Sequence, residues 1–465
     1  MAEESSDDSP SITMKTNPKV VIIGAGISGI MAGHELAKEG IQDFVILEAT
    51  DRVGGRIWSV DLETAPGRKT ELGANWIHGI HANPIYKIAT QHNLLSKLYQ
   101  GRKLGQRMMF LHQDGHPVNT KNDSVGAFIW REFSEKLDRY HGQERHIREM
   151  VLHQRLLGEC IISGCNNMND IALSEVGSFQ ELPGVHYVIP PGFEQICHIL
   201  KENIPSEALR LKHAVSQIKY GQADGAEHPV CVECQNGQKF YADHVIVTVS
   251  LGYLKQHHDR LFEPLLPVEK LSAFERVAMG TVNKVILEFD GQILPDGIFR
   301  LELIWDRLEE DELVDLSERW FKKLGSFEAV TDNVLMGWLS GDEAEYMEKL
   351  SEEEVGKQCV DVLKRFLHRS VKELPNLKKV SRSTWKSNPF SLGAYSFIPV
   401  GAFAEDIETL AEPILDKDHT PTVLFAGEAT HPNFYSSSHG ALLSGKREAQ
   451  RIIDLHHGGA TNGDI

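Results

Sequence analysis

Between residues 19 and 48 the chain carries a strand, a glycine-punctuated turn, a helix and a second strand, and few folds accept that series. Lys19-Val-Val-Ile-Ile-Gly24 is a β-branched run of the kind that forms a buried parallel strand. Ile27 to Glu39 has helical spacing and stops at Gly40, and Phe44-Val-Ile-Leu-Glu48 reads as the next strand. The joint is Gly24-Ala25-Gly26-Ile27-Ser28-Gly29. In such a joint the first glycine permits the tight turn and the second lets main chain approach a pyrophosphate. The third lets helix and strand pack closely, and the helix turns its positive end toward the phosphates. Glu48 stands about twenty residues on, where a carboxylate accepts hydrogen bonds from a ribose. The unit predicts an α/β chain that binds a dinucleotide.

At 465 residues the chain exceeds what a single core usually holds. Its net charge of −18 argues against a nucleic-acid surface and favours cationic ligands. Cys231 and Cys234 form a lone CxxC, but Pro229 to Gln238 alternates like a strand running into a turn at Asn236-Gly237. A metal or redox role is therefore not expected there. The longest apolar run, Val20 to Gly33, is broken by four glycines and predicts no membrane span. Residues 1–17 and 457–465 read as tails, and the absence of a signal peptide or a terminal Ser-Lys-Leu makes the cytoplasm the default expectation. Elsewhere, 125–162 reads as helix-rich and 213–252 as β, and Lys284–Phe289 reads as a strand followed by irregular acidic sequence to about Val330. Helices are expected at Glu352–Arg369 and Gly440–Leu455, with a strand at Thr422–Gly427.

Directly after Glu48 and Ala49 comes Arg52-Val-Gly-Gly55-Arg56, two fork-shaped donors beside permissive backbone. This stretch resembles the second phosphate-binding motif of the glutathione-reductase-like flavoproteins, specifically the flavin-containing amine oxidases. Glu71-Leu-Gly-Ala-Asn-Trp-Ile-His-Gly79, Gly280-Thr-Val-Asn-Lys284, and Phe425-Ala-Gly-Glu428 with Ser438-His-Gly-Ala-Leu-Leu-Ser-Gly445 carry the resemblance onward, so that it runs from about Lys19 to Leu455. It implies an α/β fold: a Rossmann-type FAD-binding domain from 18–90, 186–272 and 389–456, and an α+β substrate-binding domain with a mixed sheet from 91–185 and 273–388.

The same resemblance assigns roles. Gly24, Ala25, Gly26, Ser28, Gly29, Glu48, Ala49, Arg52, Gly55, Arg56, Gly73, Ala74, Asn75, Trp76, Val215, Trp385, Glu428, Ser437 and Ser438 match cofactor-binding positions. Lys284 matches the lysine that holds a water near the flavin, although a lysine in a strand pattern is otherwise an edge residue. Trp385 and Tyr395 match one wall of the aromatic cage that guides the amine. Two departures point away from monoamine oxidases. Ala394 occupies the place of the cysteine that bonds covalently to flavin, and Ser437 that of the second cage tyrosine. Non-covalent FAD is therefore implied. His78 matches the active-site histidine of polyamine oxidases, so catalytic roles fall to Lys284, His78 and Tyr395, and substrate contacts to His78, Tyr395 and Ser437. The implied reaction is oxidation of spermine or acetylated polyamines to a shorter amine, an aminoaldehyde and hydrogen peroxide, with molecular oxygen and without metal, nucleic acid or membrane. The alternatives are another flavin amine oxidase of monoamine or histone-lysine demethylase type, or a non-catalytic carrier like the GDP-dissociation inhibitors. Substrate preference and oligomeric state stay open.

Overall fold

The strand Val20–Ile23 lies fully buried at the heart of a six-stranded sheet in the computed structural model, which describes residues 19–95, 107–112, 114, 116, 139–175, 177–221, 227–306 and 314–460. Phe44–Leu47 and His244–Val247 flank it in parallel, and Leu209–Arg210, Pro421–Phe425 and the short antiparallel Ile414–Leu415 complete the sheet. Continuous β-branched runs suit strands covered on both faces. One face is covered by the helix Ile27–Lys38, itself crossed by the terminal helix Ser438–Ala460. At that crossing a Cβ on Gly445 would lie 2.0 Å from Ser28 O, so the two backbones nearly touch.

A second six-stranded sheet runs Leu377–Arg382, Val282–Phe289, Val334–Ser340, Ser326–Thr331, Ile298–Ile304, Arg107–His112. Its pairings are antiparallel except the last, which is parallel. Val282–Phe289 is buried at every position and has neighbours on both sides. Lys284 is therefore central, and the edge-residue alternative fails.

The sequence reading of 290–330 as irregular is corrected here. Ile298–Ile304 and Ser326–Thr331 are strands, and the charges that masked the first are paired within the sheet, Arg300 Nε meeting Glu302 Oε1 at 2.8 Å. The helix Gly142–Ser163 supports the helical reading, whose earlier part, 125–138, lies outside the described residues, as does the expected tail 1–17. The terminal helix continues to Ala460, past the expected end. Cys231 and Cys234 sit on the strand Val230–Cys234 as free, buried thiols, and Gly237 turns at φ +85°, as the alternation predicts. Among the described residues no helix is long and apolar enough to cross a membrane.

Candidate active site

The glycine turn closes over the carboxyl end of the parallel sheet, where α/β folds place their ligand crevice. Gly24 takes φ +100° and donates to Leu47 O at 2.8 Å. A Cβ on Gly29 would lie 2.0 Å from Gly24 O, so that position is reserved by the fold itself. Gly26 differs: a Cβ there would meet nothing within 4 Å. It begins the helix Ile27–Lys38 without a side-chain cap, so no side chain accepts from the first-turn amides. Glu48 braces this turn, Oε2 accepting from Ala25 N at 2.7 Å and Oε1 from Thr50 N and Oγ1 at 2.9 and 2.8 Å. Arg52 is spent locally too, donating to the carbonyls of Val53, Ile57 and Gly55 and stacking over Trp58 at 4.5 Å. Gly55 lies against Gly26, at 3.4 Å from its added Cβ to the Gly26 Cα. Val215, itself buried, opens the strand Val215–Tyr220 just after His213, whose amide donates to Glu48 O at 2.7 Å.

Glu428, at the end of Pro421–Phe425, ties three segments together. It accepts from Arg56 at 3.0 Å, from Ser396 N and Oγ at 3.3 and 2.5 Å, and from Ser436 N at 2.9 Å. Ser437 caps the terminal helix, accepting from Gly440 N at 3.0 Å, and Ser438 is that helix's first residue. Gly73 presses on the Arg56 carbonyl, which a Cβ would meet at 1.8 Å, and Ala74 N donates to the same oxygen at 3.1 Å.

From Gly73 the chain reaches the second sheet. Lys284 Nζ donates to Glu71 O at 2.9 Å and Gly73 O at 2.5 Å, and lies 4.3 Å above the Trp338 ring. Burial pushes its pKa down to about 7, with Glu71 and Glu328 pulling the other way. Glu71 is buried beneath it, accepting from Phe193 N and Ser59 Oγ at 2.8 Å each, and burial raises its pKa. Beside Lys284, the Asn283 amide accepts from Ser383 Oγ and Trp385 N and donates to Glu348 at 2.7 Å, which locks Trp385 in place. Trp385 meets Trp58 edge to face, 6.3 Å between centroids. Tyr395 is linked through Val282 N, which donates to Ala394 O at 2.7 Å. The Tyr395 hydroxyl donates to the Ile161 carbonyl and, at 3.1 Å, to that of Ile162.

His78 closes the stretch that begins at Glu71. Its ring meets His186 edge to face at 5.2 Å. His78 is exposed on one side, while partial desolvation on the other and then His186 push its pKa down, toward neutral imidazole. Behind it His439, 3.4 Å from Ser437 Oγ, is pushed down to about 3 by burial, then His78, then His431. Trp58, Trp338, His186 and His439 were not singled out from sequence. Of these, only His439 had a signal, its place inside the Ser438–Gly445 motif. Residues 71–78 thus touch Arg56, Lys284 and the histidine group in turn, while Asn75 and Trp76 are half-buried between them. Among the described residues no group of three or more His, Cys, Asp or Glu could hold a metal ion.

A model of flavin-containing amine oxidoreductases matches residues 27–160 and 161–453. The chain belongs to this family. It is 32% identical to the peroxisomal N(1)-acetyl-spermine/spermidine oxidase of Bos taurus and 33% identical to that of Homo sapiens, each match covering 94% of this chain and 95% of the relative. It is 27% identical to polyamine oxidase 1 of Oryza sativa subsp. japonica, over 96% of this chain and 99% of the relative. A flavin is the cofactor of this family, and the residues present fit one: main chain at Gly26 is open to close approach, the helix it begins has no side-chain cap, and Arg56 and Glu428 line a pocket at the end of the same parallel sheet.

Proposed function

We propose that this amine oxidoreductase oxidises polyamines with non-covalently bound FAD, releasing a shorter amine, an aminoaldehyde and, from oxygen, hydrogen peroxide. The whole-length likeness to oxidases named for spermine and spermidine supports the substrate class. In this reading 18–90, 186–272 and 389–456 form the cofactor-binding part and 91–185 and 273–388 the substrate part. When bound, FAD supplies the two-electron acceptor and carries the difficult chemistry. The uncapped start of Ile27–Lys38 and the Gly26 main chain would hold the pyrophosphate, and Arg56 and Glu428 would fix the crevice wall. Ala394 offers no nucleophile for a covalent link.

The observation that carries the reading is a pair of nitrogen bases, Lys284 and His78, held at the two ends of residues 71–78 with their pKa values lowered. An amine must be neutral before its α-carbon gives up a hydride. Lys284, held by two carbonyls and depressed to about 7, keeps a proton site beside the crevice, and neutral His78 accepts a hydrogen bond from an incoming ammonium. Trp385 and Tyr395 are clamped by backbone contacts, so they act as a fixed wall that orients the amine. The test is the purified protein itself. A yellow protein that spermine or N1-acetylspermine bleaches anaerobically, and that releases peroxide in air, supports the proposal; a colourless or unbleached protein overturns it.

A further inference from the structure

We propose that Cys160 and Cys165 form a reversible thiol–disulfide site whose oxidant is hydrogen peroxide. The helix Gly142–Ser163 ends at Gly164, in the left-handed region at φ +80°, and the amides of both Gly164 and Cys165 donate to Cys160 O, the latter at 3.1 Å. This is a Schellman ending, in which the residue after the left-handed glycine folds back onto the residue three positions inside the helix. Here both of those residues are cysteines. Both thiols are free and buried, and Cys165 Sγ meets Met168 Sδ at 3.9 Å. A bridge requires facing side chains with Cα atoms roughly 4.4–6.8 Å apart, and the backbone hydrogen bond from Cys165 to Cys160 brings the two residues together across the helix end. Cys231 and Cys234, the motif that looks redox-active on paper, stand three apart on a strand and so point to opposite faces.

The pair sits under the site wall. Ile161 and Ile162, whose carbonyls receive the Tyr395 hydroxyl, lie within the ring that the bridge would close. Both cysteines are buried, which shuts out large oxidants and makes small, neutral peroxide the oxidant of choice. The Cys165 hydrogen bond and then Lys323 hold the Cys160 thiol below its ordinary value, against burial and Asp170, which makes Cys160 the attacking group. Its thiolate attacks one peroxide oxygen and the O–O bond breaks. The other oxygen leaves as water, and Cys160 becomes a sulfenic acid. Cys165 sulfur then attacks Cys160 sulfur, the S–O bond breaks, and a second water departs with the thiol proton. Two thiols are oxidised by two electrons, and one peroxide is reduced to two waters.

That the protein makes its own peroxide rests on the polyamine oxidase reading; added peroxide tests the site without it. The reduced, flavin-loaded full chain is treated with hydrogen peroxide, denatured, labelled with N-ethylmaleimide and digested for mass spectrometry. The expected result is a peptide carrying both cysteines that has lost two hydrogens, takes no label, and regains two labels after dithiothreitol. In Cys165→Ser, dimedone should trap the sulfenic acid on Cys160. Two labels on that peptide, in a sample whose exposed methionines are oxidised, would overturn the site. In a second arm spermine turnover replaces added peroxide. A bridge that forms with added peroxide but not with spermine, when no peroxide is released, sinks the oxidase reading and leaves the thiol site standing.

Discussion

The glycine turn and the lysine wall stand on different sheets and are built in opposite ways. The turn is made of neighbours: Gly24, Gly26 and Gly29 work through main chain within six positions, and Glu48 and Arg52 are consumed in bracing it. The wall is made of strangers, since Lys284 meets oxygens more than two hundred residues away at Glu71 and Gly73. A ligand cradle needs only local backbone shape. A depressed lysine needs the burial that tertiary packing supplies.

The sharpest test of that contrast is Lys284→Met, expected to cut kcat by about 100-fold or more while flavin stays bound, measured by turnover and absorbance of the same sample. Unchanged kcat would remove Lys284 from the chemistry. Next, Gly26→Ala and Gly29→Ala should part company. The first should leave flavin-free stability within about 1 kcal/mol yet weaken FAD binding at least tenfold, about 1.4 kcal/mol. The second should destabilise the fold by roughly 1–3 kcal/mol, because its Cβ runs into the Gly24 carbonyl. Equal behaviour in thermal melts would erase the distinction between a ligand glycine and a packing glycine.

A pH series refines the wall further. Burial lowers the Lys284 pKa from 10.5 to about 7, so between those values the unfolded chain binds a proton that the folded one lacks. Stability from this group therefore rises with pH through that window and is flat below it. Wild type minus Lys284→Met melts should show this slope; a flat difference would contradict it. Turnover should also rise on the alkaline side, as more of the substrate amine becomes neutral. The smallest effect is expected for Tyr395→Phe, about 1 kcal/mol of stability for the hydroxyl on Ile161 and Ile162, with a few-fold change in KM.

Local pattern made the first βαβ unit, the last helix and the Cys231–Cys234 strand legible, because each depends on a short period of buried residues. Glu48 shows where that stops. Its position was readable, but its three hydrogen-bond donors were not, and one of them, Ala25 N, comes from a different strand end. The strand Ile298–Ile304 was hidden because Arg300 and Glu302 look solvated until their pairing with each other and their cross-strand neighbours Glu328 and Ser326 are known. Trp338 was missed for the same reason, since only the register with Val282–Phe289 sets it opposite Lys284. His186 reaches His78 from more than a hundred residues away.

Lys284 is anchored on carbonyls that every amino acid possesses. Side-chain replacement at Glu71 cannot delete the oxygen that it uses, whereas a shift of the loop's path would. Random mutagenesis should thus find this anchorage hard to abolish by removing the Glu71 side-chain charge, and vulnerable to any side chain at Gly73 and to insertions between Arg56 and Gly73. Anyone reshaping the enzyme for new amines must therefore preserve the ribbon's course, which Gly73 secures by lacking a Cβ.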